Sequence, residues 1–189
     1  MAKSPQDQKK KPVSQSYWAL VWWKFKKNKL AVVGGLLLIV MYFSFVAIPE
    51  FIAPYALERR SEYTEARPQT IRFVDAEGKF HLRPFVYGLE RKVDVAARRR
   101  TYVEDPNRIY EIHFFVPGDP YKLFGLIPTD IHLFGTWSED PAASVFIMGT
   151  DSNGRDYFSR IMYGGRLSLM IGLIGQFLTL LLGSVLGAI

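Results

Sequence analysis

The sequence predicts a membrane α-helical protein in which two transmembrane helices flank an α+β extracytoplasmic insertion. Three observations carry this. Residues 30–48 and 167–189 are apolar runs without a single charge. The positive charge is concentrated ahead of the first run. The stretch between the runs shows turn residues and alternating apolar positions, the signature of strands.

The first 29 residues hold eight lysines against one acid, Asp7, although the whole 189-residue chain carries only +6. Residues 1–16, rich in Lys, Gln, Ser and Pro, have little to bury and are expected to be mobile. From Tyr17 onward aromatic and basic residues interleave. Trp18, Trp22 and Trp23 alternate with Lys24, Lys26, Lys27 and Lys29, a mixture that suits the headgroup zone, where indoles sit and ammonium groups meet anionic lipid. This basic excess abuts a spanning helix, so the bilayer explains it, and no nucleic-acid partner is expected.

Residues 30–48 are nineteen uncharged residues, about 28 Å of helix and close to the hydrocarbon thickness. The run is longer than the apolar core of a signal peptide, and no small-residue cleavage site follows it. The lysines place the N-terminus in the cytoplasm, and Pro49 and Pro54 are expected to end the helix on the far side.

Residues 49–148 form the insertion. Segments 70–75 and 79–85, joined by Ala76-Glu77-Gly78, predict a β-hairpin, and 109–116 predicts one further strand. The run Arg98, Arg99, Arg100 is expected as a solvated face. His81, His113 and His132 have no partner at helical spacing and the chain has no cysteine, so no metal, disulfide or cofactor is expected, and no catalytic constellation emerges. Residues 117–141, dense in Gly, Pro and aromatics, predict a folded loop over an apolar surface.

Residues 149–166 form a turn and an interfacial helix. Thr150, Asp151, Ser152 and Asn153 can all cap a helix, and Asn153 with Asp156 three residues on has the spacing of a capping box. Beyond it Tyr157, Phe158, Ile161 and Met162 form an apolar face opposite Ser159, Arg160, Tyr163 and Arg166, and Gly164-Gly165 permits a bend. Residues 167–189 then cross the bilayer back. Gly175, Thr179, Gly183 and Gly187 make one small-residue stripe and Ser168 with Gly172 a neighbouring pair, a face shaped for other helices; Gln176 wants a protein partner at membrane depth.

Two stretches carry a resemblance. One is K-x-K-K-N-K-L-A-V-V-G-G-L-L-L-I-V, closed by F-I-A-P-Y at 51–55. The other is G-T-D-S-N-G-R-D-Y-F-S-R-I-M-Y-G-G-R-L-S-L at 149–169. Together they resemble the N-terminal signature of the C-type permease subunit of oligopeptide, dipeptide or nickel importers driven by ATP. The matched positions are Gly149, Thr150, Asp151, Gly154, Arg155, Asp156, Ser159, Arg160, Gly164, Arg166, Ser168 and Leu169.

The resemblance implies the N-terminal part of a type I ABC importer permease fold, with an insertion longer than usual. It implies a multi-pass protein of the bacterial inner membrane with residues 49–166 periplasmic. Its partners would be a homologous second permease, two cytoplasmic ATPase subunits and a periplasmic substrate-binding protein. ATP hydrolysis would reside in those subunits, so the chain is not expected to be an enzyme. The E-A-A type motif that docks the ATPase has no match in these residues, and the sequence is expected to be an incomplete permease. The signature residues would act structurally, fixing the extracytoplasmic approach to the second helix. The other reading left open is a signal-anchored protein whose outer segment binds a ligand or an envelope partner.

Overall fold

The computed structural model describes residues 16–94, 99–138 and 140–188, with the side chains of 93–100 outside the description. The expected mobility of 1–16 therefore lies, but for Ser16, outside the described residues, as does the exposure of the Arg98, Arg99 and Arg100 side chains. The chain divides into two compact units, one to Val40 and one from Met41.

In the first unit, α1 (Tyr17–Lys27) gives the basic and aromatic stretch a helical form. Trp22 stacks on Phe25 with ring centres 5.6 Å apart, while Lys26 and Lys27 lie over the Trp22 and Trp23 rings at 5.3 and 5.0 Å. Asn28 separates α1 from α2 (Lys29–Tyr42). Its amide donates to the Lys24 and Phe25 carbonyls, and its side-chain oxygen accepts from the Ala31 amide at 3.3 Å. One residue so closes one helix and opens the next.

The helix continues past Tyr42 as a π-helical turn, Phe43–Ala47, in which the Ile48 amide reaches the Phe43 carbonyl at 3.1 Å. The whole apolar helix, Lys29–Ala47, is long enough to cross a membrane. Pro49 does not simply end the chain's helical course: it occupies the first position of a four-residue helix, α3 (Pro49–Ile52), where its missing N–H costs nothing.

Two antiparallel sheets follow. The first has strand order β1 (Arg72–Val74), β2 (Phe80–Asp94), β3 (Arg99–Glu111); the second pairs β4 (His113–Leu123) with β5 (Ile127–Gly135). The predicted hairpin is present, with Val74 opposite Phe80. The single strand predicted at 109–116 is instead two, divided at Ile112 between the sheets, whose amide donates to the Pro84 carbonyl at 2.8 Å. The predicted folded loop at 117–141 is largely strand as well, because β4 and β5 pair from His113↔Gly135 to Leu123↔Ile127. The insertion is thus β-rich, its helical content among the described residues limited to α3 and the 3-10 turn Pro141–Ala143.

Its core has two clusters. Tyr63, Ala66, Leu89, Tyr102 and Phe146 form one, and Val86, Ile112 and Val145 the other. Strand β2 is buried over Phe85–Leu89 on both faces, with Phe85 and Val86 wholly inaccessible.

The last element, α4 (Tyr157–Gly187), is one unbroken helix of 31 residues, also long and apolar enough to span a membrane. The interfacial helix and second spanning helix expected from the sequence are therefore one element, and Gly164-Gly165 does not interrupt it. Of the expected apolar face, Met162 is buried while Tyr157 and Ile161 are about half exposed; Ser159, from the opposite face, is buried as well.

Candidate functional site

The residues of the 149–166 signature fold into a knot against residues 50–69. Gly149 and Gly154 both have positive φ, +76° and +73°. A Cβ on Gly149 would lie 2.4 Å from the Ala66 carbonyl oxygen, and one on Gly154 only 2.1 Å from that of Ser61. Glycine is needed at both for conformation and for space.

Thr150 ties the turn to the 63–66 segment. Its hydroxyl donates to the Tyr63 carbonyl and accepts from the Ala66 amide at 2.9 Å, while its own amide donates to the Ala66 carbonyl at 3.0 Å. The Glu65 amide donates to the Asp151 carbonyl, and the Ser61 amide and hydroxyl both donate to the Gly154 carbonyl at 2.9 and 2.8 Å. Within the turn, Thr150 and Asp156 pair as an isolated antiparallel bridge.

The two acids of the turn do different work. Asp151, nearly buried, accepts at one oxygen from the Asn153 and Arg155 amides (2.8 and 2.9 Å). Its other oxygen accepts from Arg155 Nε at 3.0 Å and Arg160 Nη1 at 2.7 Å. Burial pushes this carboxyl upward, but the amides of Arg155 and Asn153 and the Arg155 guanidinium outweigh it and hold it below its ordinary value. Asp156 is the N-cap of α4, accepting from the Ser159 amide and hydroxyl at 2.7 Å each. Here burial dominates and the carboxyl is raised; its second oxygen is buried without a hydrogen-bond partner among the described residues. The expected capping box from Asn153 is not formed, because the Thr150–Asp156 bridge places Asp156, not Asn153, at the helix start.

Ser159 extends the cap to the preceding segment by accepting from the Tyr55 amide at 3.3 Å. Burial raises the Tyr55 hydroxyl to about 12, and the Val145 amide donates to it at 2.7 Å. Further along, Gln69 and Phe146 clasp each other. The Gln69 amide donates to the Phe146 carbonyl at 3.0 Å, and the Phe146 amide to the Gln69 side-chain oxygen at 2.6 Å.

Arg166 completes the site about two turns down α4 from Ser159. It grips both carboxylate oxygens of Glu50 and donates from Nε to the Val46 carbonyl at 3.1 Å, a carbonyl in the π-helical turn. The close glycine here is Gly165, where a Cβ would stand 2.3 Å from the Phe45 ring; Gly164, the motif position, faces open space. Glu50 was not singled out by sequence reasoning, yet a signal existed. Glu50 is the first charge after one apolar run and Arg166 the last before the other.

The remaining predicted residues stand apart. Ser168 is exposed on α4, Gly172, Gly175, Gly183 and Gly187 face open space, and Gln176 is exposed; Thr179 donates back to the Gly175 carbonyl at 2.9 Å. Trp18, Trp22 and Trp23 are all exposed on α1. A cavity of about 500 Å³ opens beside the knot, with Arg59, Arg60, Glu62, His132 and Asp140 in its wall. The histidines occupy strands, and His132 is buried with its ring nitrogens 2.6 and 2.9 Å from the Ala53 and Asp119 carbonyls.

Residues 16–69 match a family model described as the N-terminal TM domain of oligopeptide transport permease C. The chain is 39% identical over 71 residues to the di/tripeptide transport system permease protein DppC of Pseudomonas aeruginosa, 38% of this chain and 21% of that protein. It is 46% identical over 41 residues to the oligopeptide transport system permease protein OppC of Haemophilus influenzae, 22% and 13% of the two chains. The chain thus spans about a fifth or less of the length of these relatives. No solved structure matches it. The resemblance to C-type permeases of oligopeptide and dipeptide transport is borne out by both comparisons.

Proposed function

We propose that the chain is the N-terminal part of a C-type permease subunit of an ATP-driven importer of di- or oligopeptides. It lies in the bacterial inner membrane with its lysine-rich tail in the cytoplasm and residues 49–166 in the periplasm. Helices 29–47 and 157–187 cross the bilayer. The pathway forms only with a homologous second permease, while two ATPase subunits supply the free energy and a periplasmic binding protein supplies the peptide. The chain hydrolyses nothing itself.

The observation that carries this reading is the knot. The stretch matched by the family model and the 149–166 signature are far apart in sequence, yet they interlock through Thr150, Gly154 and the Glu50–Arg166 pair. Such a joint holds the outer ends of two spanning helices in fixed relation, which a permease needs if its halves are to rock as bodies. The open small-residue stripe on α4 and the polar Gln176 fit a helix that packs against partner helices.

Co-purification tests the assembly. The tagged protein is expected to bring down a second permease and an ATPase from solubilised membranes; recovery without either, under conditions that hold known importers together, would overturn the reading. Replacing Asp151 and Arg155 by Ala in the full-length protein is expected to lower both assembly and peptide uptake, and unchanged values for both would remove the proposed role of the knot.

A further inference from the structure

The turn between β4 and β5 is built unlike the other well-defined turn of the insertion. Between β1 and β2 the chain reverses through Asp75, Glu77 and Lys79, with the Asp75 carboxylate accepting from two backbone amides, as a turn in water should. Between β4 and β5 it reverses through Leu123-Phe124-Gly125-Leu126-Ile127. Phe124, Leu126 and Ile127 are 55%, 82% and 57% exposed. Both Phe124 and Gly125 have positive φ, +54° and +72°. The turn is closed by the Gly125 and Leu126 amides donating to Lys122 and Leu123. An aromatic residue in the left-handed region is strained, so the turn spends conformational strain to present apolar side chains outward. From 120 to 129 Lys122 is the only charge, with Asp119 and Asp130 beyond on either side.

The root of this hairpin lies at the outer ends of the two apolar helices. Phe115 on β4 has its ring 6.0 Å from Phe51 of α3, which follows the helix ending at Ala47 after one residue. His132 on β5 meets the Ala53 carbonyl, and Phe134 packs on Phe158 in the first turn of α4 at 5.7 Å. Ile127 is five residues beyond His132, a reach of about 17 Å. Phe115 is itself 63% exposed and Ile131 45%. The apolar surface therefore continues from the helix ends along the hairpin to its tip, and Lys122 beside the tip has the sign that anionic headgroups attract.

We propose that Phe124, Leu126 and Ile127 form a membrane-contacting tip that enters the interface of the bilayer crossed by α4, so that the hairpin props the insertion against the lipid surface. The proposal rests on the membrane reading of α4 given above. Aromatic and aliphatic side chains with a flanking lysine are the composition that partitions into the headgroup and acyl boundary.

The absence of cysteine makes the test direct. Single variants Leu126→Cys, Phe124→Cys, Glu77→Cys and Leu181→Cys of the full chain are labelled with an environment-sensitive fluorophore in lipid nanodiscs. Each is checked against the parent by far-UV circular dichroism. The label at 126 and 124 is expected to show blue-shifted emission, to be quenched by lipids carrying a quencher near the headgroups and to resist aqueous iodide. The label at 77 should remain water-like, and that at 181 should be quenched from within the bilayer. Iodide quenching at 126 and 124 equal to that at 77, with 181 still lipid-quenched, would overturn the proposal and leave the membrane reading standing. Iodide access at 181 would overturn the membrane reading and the proposal with it. Blue-shifted emission at 126 without lipid quenching would mean that protein covers the tip, and would also overturn it.

Discussion

Gly154 and Gly78 both adopt positive φ, but they differ in what surrounds them. A Cβ at Gly154 meets the Ser61 backbone at 2.1 Å, whereas one at Gly78 meets nothing within 4 Å. Gly78→Ala is expected to cost only the conformational penalty, about 1–2 kcal/mol. Gly154→Ala must also displace the 61–66 segment, and is expected to cost at least about 3 kcal/mol or prevent folding. Thermal unfolding of the two variants side by side checks the contrast. The two acids of the turn give a signed pH dependence. Asp156 is raised by burial, so its ionised form disfavours the fold above its folded pKa, and that cost is relieved as pH falls through it. Asp151 is depressed, so its contribution is complete above the ordinary carboxylate value of about 3.9 and is lost as pH falls through its folded pKa. Stability should rise on mild acidification before it falls, and in Asp156→Asn the rise should disappear; a denaturant midpoint measured against pH reads both. Which residue caps α4 could not be read from sequence. Thr150, Asp151, Ser152 and Asn153 all have capping chemistry, and the choice falls to Asp156 through a backbone bridge formed only in the folded turn.

Elements whose signal is local were legible; elements defined by their partners were not. Both apolar helices and the β1–β2 hairpin follow from uninterrupted composition and from one turn with its flanks. The break at Ile112 was invisible because 109–116 is continuous in propensity and is divided only by which sheet each half joins. The β4–β5 hairpin was obscured by its prolines and glycines, of which Pro117, Gly118 and Pro120 sit at a register shift between Pro117 and Tyr121. What α4 turns toward the rest of the chain was not legible for a related reason. The periodicity identifies an apolar stripe, but Ser159 and Arg166, from the polar face, are the residues whose side chains bond to the Tyr55 amide and the Val46 carbonyl. This gives the Glu50–Arg166 pair a testable weight. Its Glu50 side chain is only 13% exposed. Arg166→Leu, which leaves that carboxylate without its cation, is expected to destabilise by about 2–4 kcal/mol. The exchanged pair Glu50→Arg with Arg166→Glu is expected to recover part of the loss, and a double-mutant cycle on unfolding free energies measures the coupling.

For the whole molecule, the uneven charge and the two apolar helices make a topological prediction. In intact cells, a cysteine introduced at Glu77 should react with a membrane-impermeant maleimide, and one at Lys26 should react only after permeabilisation. The reverse pattern would invert the proposed orientation. The bipartite motif was legible at this scale, as two segments of one signature, but not the way the segments meet. Nothing in the sequence says that Thr150 seeks the Tyr63 carbonyl across 87 positions or that Gly154 makes room for Ser61. The clasp between Gln69 and Phe146 bears on the length of what lies between them. The chain departs at 69 and returns at 146 within hydrogen-bonding distance of itself, so the intervening residues hang from a closed ring. Residues added at an exposed turn of that part, such as the one at Gly78 where a Cβ meets nothing within 4 Å, leave the spacing between 69 and 146 unaltered, and the cost of closing a longer loop grows only with the logarithm of its length. The ring and what it carries are nonetheless one packed body, because Leu89 and Tyr102 share a buried core with Tyr63 and Phe146, so length can vary only where the insertion meets solvent.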